Sequence, residues 1–528
     1  MISALRAVPV RRVLPALIPG LTMLVLGLLG ATRSVLSWDE IASVDVARRS
    51  VPQIWDLINN VDGVFGPYYM FLHFWDAVFG QTVLTVRVPS ILAMAAAAAV
   101  TGELGRRLFS PLAGVVGGLI LCSVPNISRY ASEARPYAFA VFVAALSLLL
   151  LLMALDKPGW VRWLAYAISV VGLGVAQLIA LTAVGAHFFV VLMRVWKPER
   201  TPVDLDKEKA EQSWSSRKLF LWWAAAAAVG AACIAPIVIM GSGQHDTQLT
   251  WVPPLTVKAV RYMPTGLTGQ AEIAWLIIGL AVTAAWVRAR NVAVVALAAI
   301  VPLVVVCLVS WHGPSFWVAR YVLFVLPFAV LLAGVGLVRA LPEARVQPQT
   351  GAQPETRVQP QTGAQPETRP WGRYARIAAV LVLIAALVYP AQWEVRGKTV
   401  KNGTDYRTAA KIIKKRQQPG DGLLFSPGNR ILRPGVYYYM ADAPYTPKDL
   451  LIRKDAADVD SLYAAEWPGT PDRVESATRL WLFTNKAKGD PLELRTDLRD
   501  LLTEDYTRTQ IWRMKEGTLA LYTPKSRS

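Results

Sequence analysis

The chain has 528 residues, of which 54% are hydrophobic and only 17% charged, and its mean hydropathy is +0.36. That balance excludes a purely soluble protein. A net charge of +18 would suit nucleic acid, but a membrane chain uses basic residues to orient its short loops, so nucleic acid is set aside as a partner.

Uncharged stretches at 13–32, 108–128, 136–155, 219–240, 291–319 and 321–338 each reach or approach the roughly 20 residues that cross a bilayer as a helix. Alternating β-barrel segments are missing, so the backbone must satisfy itself within helices, and a polytopic α-helical membrane protein is predicted. Arg6, Arg11 and Arg12 precede the first run, which no small-residue cleavage site follows. It reads as an uncleaved span with its N-terminus inside, in the plasma membrane. Residues 37–87 are mixed and form a large first outer loop, in which the aromatic segment 67–75 is too short to span and suits an interfacial helix.

Spans follow at 88–102, 108–128 and 136–155. Residues 163–193 are too many for one span and too few for two, yet both flanks are basic, which requires an even number of crossings. Two short or broken helices result, and such helices are tolerated where they border a cavity. The chain then goes out at 219–240, forms an outer loop at 241–270, and returns at 273–287. It goes out at 291–310, back at 320–338 and out at 377–392, which makes eleven spans with the tail outside. The inner linker 343–370 holds the sequence RVQPQTGAQPET at 345–356 and again at 357–368. Such Pro/Gln/Thr-rich repeats bury no apolar surface and read as disordered spacer.

Residues 392–528 hold 24 Lys/Arg and 18 Asp/Glu, against 31 and 19 in the 391 residues before them. The predicted organisation is therefore a transmembrane domain, 1–391, and an extracytoplasmic soluble domain, 392–528. In the tail a helical pattern at 405–418 alternates with strand-like runs at 422–425, 480–483 and 519–522 and a helical stretch near 492–502, the pattern of a small α/β domain. Cys122, Cys233 and Cys307 all lie in apolar spans and give no disulfide framework.

Asp39-Glu40 stands just beyond the first span, where an acid is costly and a functional candidate; its bland alternative is a helix cap. Arg129, Glu133 and Arg135, interleaved with Tyr130 and Tyr137, lie at the mouth of two spans and suit a phosphate, because arginine presents a planar fork of donors. Arg320-Tyr321 enters a later span on the same side, with snorkelling as the alternative for the arginine. Asp62 lies among turn residues. An acid with a basic rim is what moving a group off a phosphorylated donor requires. No Gly-rich phosphate loop follows a strand, and His73, His187, His245 and His312 are scattered, so neither a nucleotide hydrolase nor a zinc enzyme is supported. A multi-span transporter or lipid flippase would also carry cavity-facing charges, but would show internal repeats or mid-membrane charges.

Trp38-Asp39-Glu40, Asp62 with Pro67-Tyr68-Tyr69, Trp75, Phe79-Gly80, Arg87-Val-Pro-Ser90, Ser132-Glu133-Ala-Arg135-Pro136-Tyr137 and Ala319-Arg320-Tyr321, in that order, resemble the GT-C glycosyltransferases of the protein-mannosyltransferase and aminoarabinose-transferase type. The resemblance covers about residues 10–340, and the tail is similar to the α/β domain of some bacterial members. It implies inverting transfer of a sugar, mannose by analogy, from a polyprenyl-phosphate donor to a glycan, lipid or protein acceptor on the outer side of the membrane. Asp39 would be the general base and Glu40 its support; Arg129, Arg135, Arg320 and Tyr321 would hold the donor phosphate; Asp62, Tyr68, Tyr69, Glu133 and Tyr137 would line the substrates. The chain departs in reading Val64-Phe-Gly-Pro67 where many members have His-Pro, and the position expected to hold a histidine in the fifth or sixth span falls on Gln177 or His187. The residues call for no cofactor, and a divalent metal stays open.

Overall fold

The computed structural model describes residues 10–196, 214–285, 289–341, 371–398, 403–469, 474, 477–486 and 488–525. The repeated linker lies outside the described residues. In chain order the helices of the first half are α1 Val10–Leu28, α2 Trp38–Ala47, α3 Val51–Asn60, α4 Gly66–Phe79, α5 Val88–Leu108, α6 Pro111–Ser123, α7 Pro125–Ala131, α8 Tyr137–Asp156, α9 Trp160–Ala176 and α10 Ala183–Trp196. There follow α11 Ser216–Gln248, α12 Val257–Thr268, α13 Ala271–Ala285, α14 Arg290–His312, α15 Leu326–Ala340 and α16 Trp371–Glu394.

Among the described residues seven helices are long and apolar enough to cross a membrane, or nine if two sharply bent pairs each make one span. The bends, 74° between α6 and α7 and 95° between α12 and α13, have local causes. Pro125 supplies no backbone N–H at the first, and Gly269, at φ +84°, caps α12 at the second. Two shorter apolar helices, Arg12–Leu28 and Trp160–Ala176, complete the set, so each segment read as a span has its helix. The expected loop 241–270 is mostly helical instead, because α11 runs on to Gln248 and α12 occupies 257–268.

Spans α1, α5 and α6 meet through small residues. A Cβ on Gly102 would run into the Pro15 carbonyl oxygen, and one on Gly114 into the Gly102 carbonyl oxygen. Only glycine permits so close an approach of helix backbones.

The expected first loop folds as three helices. Both α2 and α3 open with capping boxes, Ser37 with Glu40 and Ser50 with Gln53, which satisfy the first backbone N–H groups of each helix. The segment 67–75, expected as an interfacial helix, lies within α4.

The tail contains α17 Tyr406–Arg416, β1 Asp421–Phe425, α18 Leu432–Met440, β2 Lys448–Asp449, β3 Ile452–Lys454, β4 Ala465–Glu466, β5 Arg479–Thr484, α19 Arg499–Glu504, β6 Tyr506–Met514 and β7 Gly517–Pro524. The main sheet has the order β2-β1-β5-β7-β6, with β1 parallel to β2 and β5, and β7 antiparallel to β5 and β6. Its buried side chains alternate between two cores. Leu424, Leu480, Leu482 and Ala520 join Leu498 and Leu502 on one face. Leu423, Phe425, Trp481, Phe483 and Leu519 face the other, where they share one core with Ile413 and Val436 and with Ile41, Ile54, Leu57 and Leu72 of α2, α3 and α4. The charge change near residue 391 thus marks a change of surface, while the core runs across it.

Candidate functional site

A cavity of about 1250 Å³ opens between the first-loop helices, the spans and the tail. Trp38, Asp39, Asp62, Arg129, Glu133, Arg135, Tyr137, Gln177, Trp251, Arg320 and Tyr321 border it, with Asn429, Arg430 and Tyr463 from the tail. Eight of the eleven residues singled out from the sequence therefore meet on one cavity; Glu40, Tyr68 and Tyr69 stand behind its wall.

Asp39 occupies the second position of α2, and the cap of that helix is Ser37. The capping alternative for Asp39 is thereby removed. Among the described residues nothing hydrogen-bonds or ion-pairs with its half-buried carboxylate, which faces the cavity. Glu40, one residue on, is fully occupied. It accepts from the Ser37 N–H at 2.9 Å, from Arg87 Nε at 2.6 Å and Nη2 at 2.8 Å, and from the Ala134 N–H at 3.0 Å. Both partners of the Arg87–Glu40 pair are at 0% exposure. Arg87 also donates to the carbonyls of Ala31, Ser34 and Val35. This buried fork fastens the start of α2 to the chain leaving α1 and to the 133–135 segment. Its signal in the sequence was the Arg87-Val-Pro-Ser90 run.

Among the described residues four guanidiniums border the cavity, and three of them, Arg129, Arg135 and Arg320, each lie on an aromatic ring. Arg135 lies 4.0 Å from the Phe65 ring centre, Arg320 lies 4.8 Å from Trp251 and 5.4 Å from Tyr321, and Arg129 lies 5.6 Å from Tyr130. Stacking holds the cations in place while leaving edge donors free. The Nε of each is buried without a hydrogen-bond partner among the described residues. Arg135 Nη1 donates to Ser43 Oγ at 3.1 Å. Burial works against the Arg135 charge, but Asp39, the nearby Tyr137 and Tyr69, and Asp62 outweigh it, so its pKa lies above the ordinary arginine value. Arg320 sits in a short 3-10 turn, Ala319–Tyr321, ahead of α15.

Asp62 adopts a left-handed conformation, φ 57°, and accepts from Tyr69 Oη at 2.8 Å. The following Gly63 N–H donates to Gln244 Oε1 at 2.8 Å, and Gln244 in turn donates to the Ile58 carbonyl, so α11 clamps this turn. Tyr69 is fully buried and holds Asp62; buried Tyr68 packs against Phe71 and Phe139. Neither borders the cavity, because the part of α4 that carries them faces the core. Tyr137 meets the Tyr130 ring edge-on and lies tilted against Tyr321.

The break expected in 163–193 falls at Gln177. There α9 ends, Gln177 turns extended, and a 3-10 segment, Leu178–Thr182, leads into α10. Gln177, Leu178, Ile179 and Thr182 border the cavity, and Gln177 Oε1 is buried without a hydrogen-bond partner among the described residues. His187 is buried against Tyr166 Oη at 3.0 Å and lies elsewhere. Trp251 and the tail residues carried no sequence signal. Among the described residues no group of three or more His, Cys, Asp or Glu could hold a metal.

Comparison with known proteins bears on the fold. A family model described as dolichyl-phosphate-mannose-protein mannosyltransferase matches residues 67–203. No curated protein sequence matches. Two crystal structures of ArnT from Cupriavidus metallidurans share the fold at 14% identity. The one bound to undecaprenyl phosphate gives a TM-score of 0.56 over 96% of this chain and 97% of that one. The apo form gives 0.54 over 94% and 96%. The chain thus shares the fold of the two ArnT structures, that of a polytopic helical membrane protein with a C-terminal α/β domain.

Proposed function

We propose that the chain is an inverting glycosyltransferase that moves a sugar from a polyprenyl-phosphate donor to an acceptor hydroxyl at the outer face of the cell membrane. The observation that carries this reading is the juxtaposition on one cavity of an unengaged carboxylate, Asp39, with the three ring-stacked guanidiniums of Arg129, Arg135 and Arg320. The ArnT structure with undecaprenyl phosphate supports a lipid-phosphate donor, and the family model's description supports mannose as the sugar.

In the reaction the acceptor oxygen bonds to the anomeric carbon as Asp39 takes its proton. The carbon–oxygen bond to the phosphate breaks, and the electron pair leaves with the lipid phosphate. General-base assistance of this kind contributes about 10²–10⁴-fold. The arginines meet the charge that develops on the leaving phosphate in a site with little water, where fixed cations act most strongly. Glu40, held by Arg87, is a positioning residue for α2. Apolar Leu178, Ile179, Val238, Val306 and Val309 border the same cavity and suit the lipid end of the donor. The 392–528 segment lies outside the membrane in this reading, with the repeated linker inside.

Asp39→Asn tests the assignment, since an amide keeps the size but accepts no proton near neutral pH. Sugar transfer is expected to fall at least about 10²-fold with binding of undecaprenyl phosphate unchanged. Near-normal turnover would remove Asp39 as the base.

A further inference from the structure

Beside the large cavity lies a second, of about 390 Å³, within the roughly 300–1,000 Å³ range of small-molecule pockets. The two share Asn429, Arg430 and Leu462. The shared turn is fixed: Asn429 Oδ1 accepts from the N–H groups of Ile431 and Leu432 at 3.0 and 3.1 Å, which opens α18. The second cavity is walled by α2 and α3 on one side and by the tail on the other.

Its charged residues fall into two groups. Asp45 and Arg49 pair with each other at 3.0 Å, Arg48 donates to Gln81 and lies over the Tyr438 ring, and Arg433 is held by Asp449 and Glu466. These build the walls. Arg430, Asp455 and Asp458 make no side-chain hydrogen bond or ion pair among the described residues, and the half-buried ring of Tyr437 stands among them.

We propose that this second cavity holds the saccharide part of a glycan acceptor, whose reacting hydroxyl enters the large cavity past Asn429 and Arg430. The inference rests on the transferase reading above and deepens it. Val238, Val306 and Val309 give the large cavity an apolar side, whereas the tail-walled annex offers unengaged donors and acceptors. Sugar hydroxyls both donate and accept, so they match a guanidinium and two carboxylates together, and the apolar face of a pyranose ring suits a tyrosine. A lipid chain would strip water from the same charges without replacing it. The tail thus contributes acceptor recognition and is more than a cover.

Full-length protein in detergent is tested with two probes, undecaprenyl phosphate and a mannose trisaccharide, and with a Ser/Thr-rich peptide as competitor. Wild-type protein is expected to bind both the lipid phosphate and the trisaccharide. The double variant Asp455→Asn/Asp458→Asn, two exposed positions in and beside a 3-10 turn, is expected to weaken trisaccharide binding about tenfold, the scale of one charged hydrogen bond, with lipid-phosphate binding unchanged. Arg430→Gln should weaken it similarly. Equal trisaccharide affinity in all variants overturns the proposal, as does wild-type protein that binds the lipid phosphate and the peptide but no trisaccharide. Wild-type protein that fails to bind undecaprenyl phosphate overturns instead the donor reading on which the proposal rests.

Discussion

Replacing Arg87 by methionine should cost a large share of the stability of the region around the site. Both members of the Arg87–Glu40 pair are at 0% exposure, joined by bonds of 2.6 and 2.8 Å, so the variant takes the guanidinium away from a fully buried carboxylate. Breaking such a pair from one side costs about 3–5 kcal/mol, whereas removing both charges together is often close to neutral. Glu40→Gln strands the guanidinium and should cost a comparable amount. In the double variant no lone charge remains, but the carbonyls of Ala31, Ser34 and Val35 still lose their donor, at about 1–3 kcal/mol for each buried acceptor left wholly unsatisfied. The double variant is therefore expected to lie well above the sum of the two single losses. Unfolding by SDS titration from mixed micelles measures all three, and Arg87→Lys, which keeps the charge without the fork, should fall between. Single losses below about 1 kcal/mol, or losses that simply add, would refute the view that this pair fastens the start of α2.

Arg135→Ala and Arg320→Ala should each weaken undecaprenyl-phosphate binding by about 1.5–3 kcal/mol, the range for hydrogen bonds to a charged group, with lysine restoring only part; unchanged affinity in both alanine variants would leave these arginines as wall residues. Gly102→Ala should lower stability by about 1–3 kcal/mol, as overpacking does, because its Cβ meets the Pro15 carbonyl; the same SDS titration checks it, and no change would deny the close approach of α1 and α5. Cysteines at Lys454 and Thr362 in a cysteine-free background should label differently with an impermeant reagent on intact cells, and equal labelling would overturn the topology. Lys454 suits this because it is exposed.

The spans were legible because a bilayer demands long uncharged runs, and a break within 163–193 was legible because basic residues flank an awkward length, whereas its place at Gln177 was not. Composition alone carried both. Asp39, Arg135 and Arg320 could be picked out as charges at span ends, where they need a reason. Tyr68 and Tyr69 could not be ranked, since an aromatic pair reads alike whether it borders a cavity or holds up its wall. The partner of Glu40 lies 47 residues away, and Arg430 approaches from the far end of the chain; no local pattern encodes such meetings. In the tail, β6 was missed because most of Tyr506–Met514 is exposed, which leaves little apolar alternation to read. The outer loop at 241–270 was misread because Gly241, Ser242 and Gly243 look like a turn, although α11 passes through them.

The core shared by α2, α3, α4 and the tail sets an order of events during synthesis. Leu36 donates its N–H to the hydroxyl of Tyr439, 403 residues later, and Ile41, Ile54 and Leu57 are covered together with Leu423, Phe425 and Trp481. At roughly 5–20 residues per second, the early helices wait roughly 20–80 s for the chain that completes their packing. Throughout that interval they carry an uncovered apolar face, which calls for a chaperone or the membrane surface to shelter it. A chain stopped before β5 would keep all its spans and never lose that face, so truncated products should be the ones that quality control removes first.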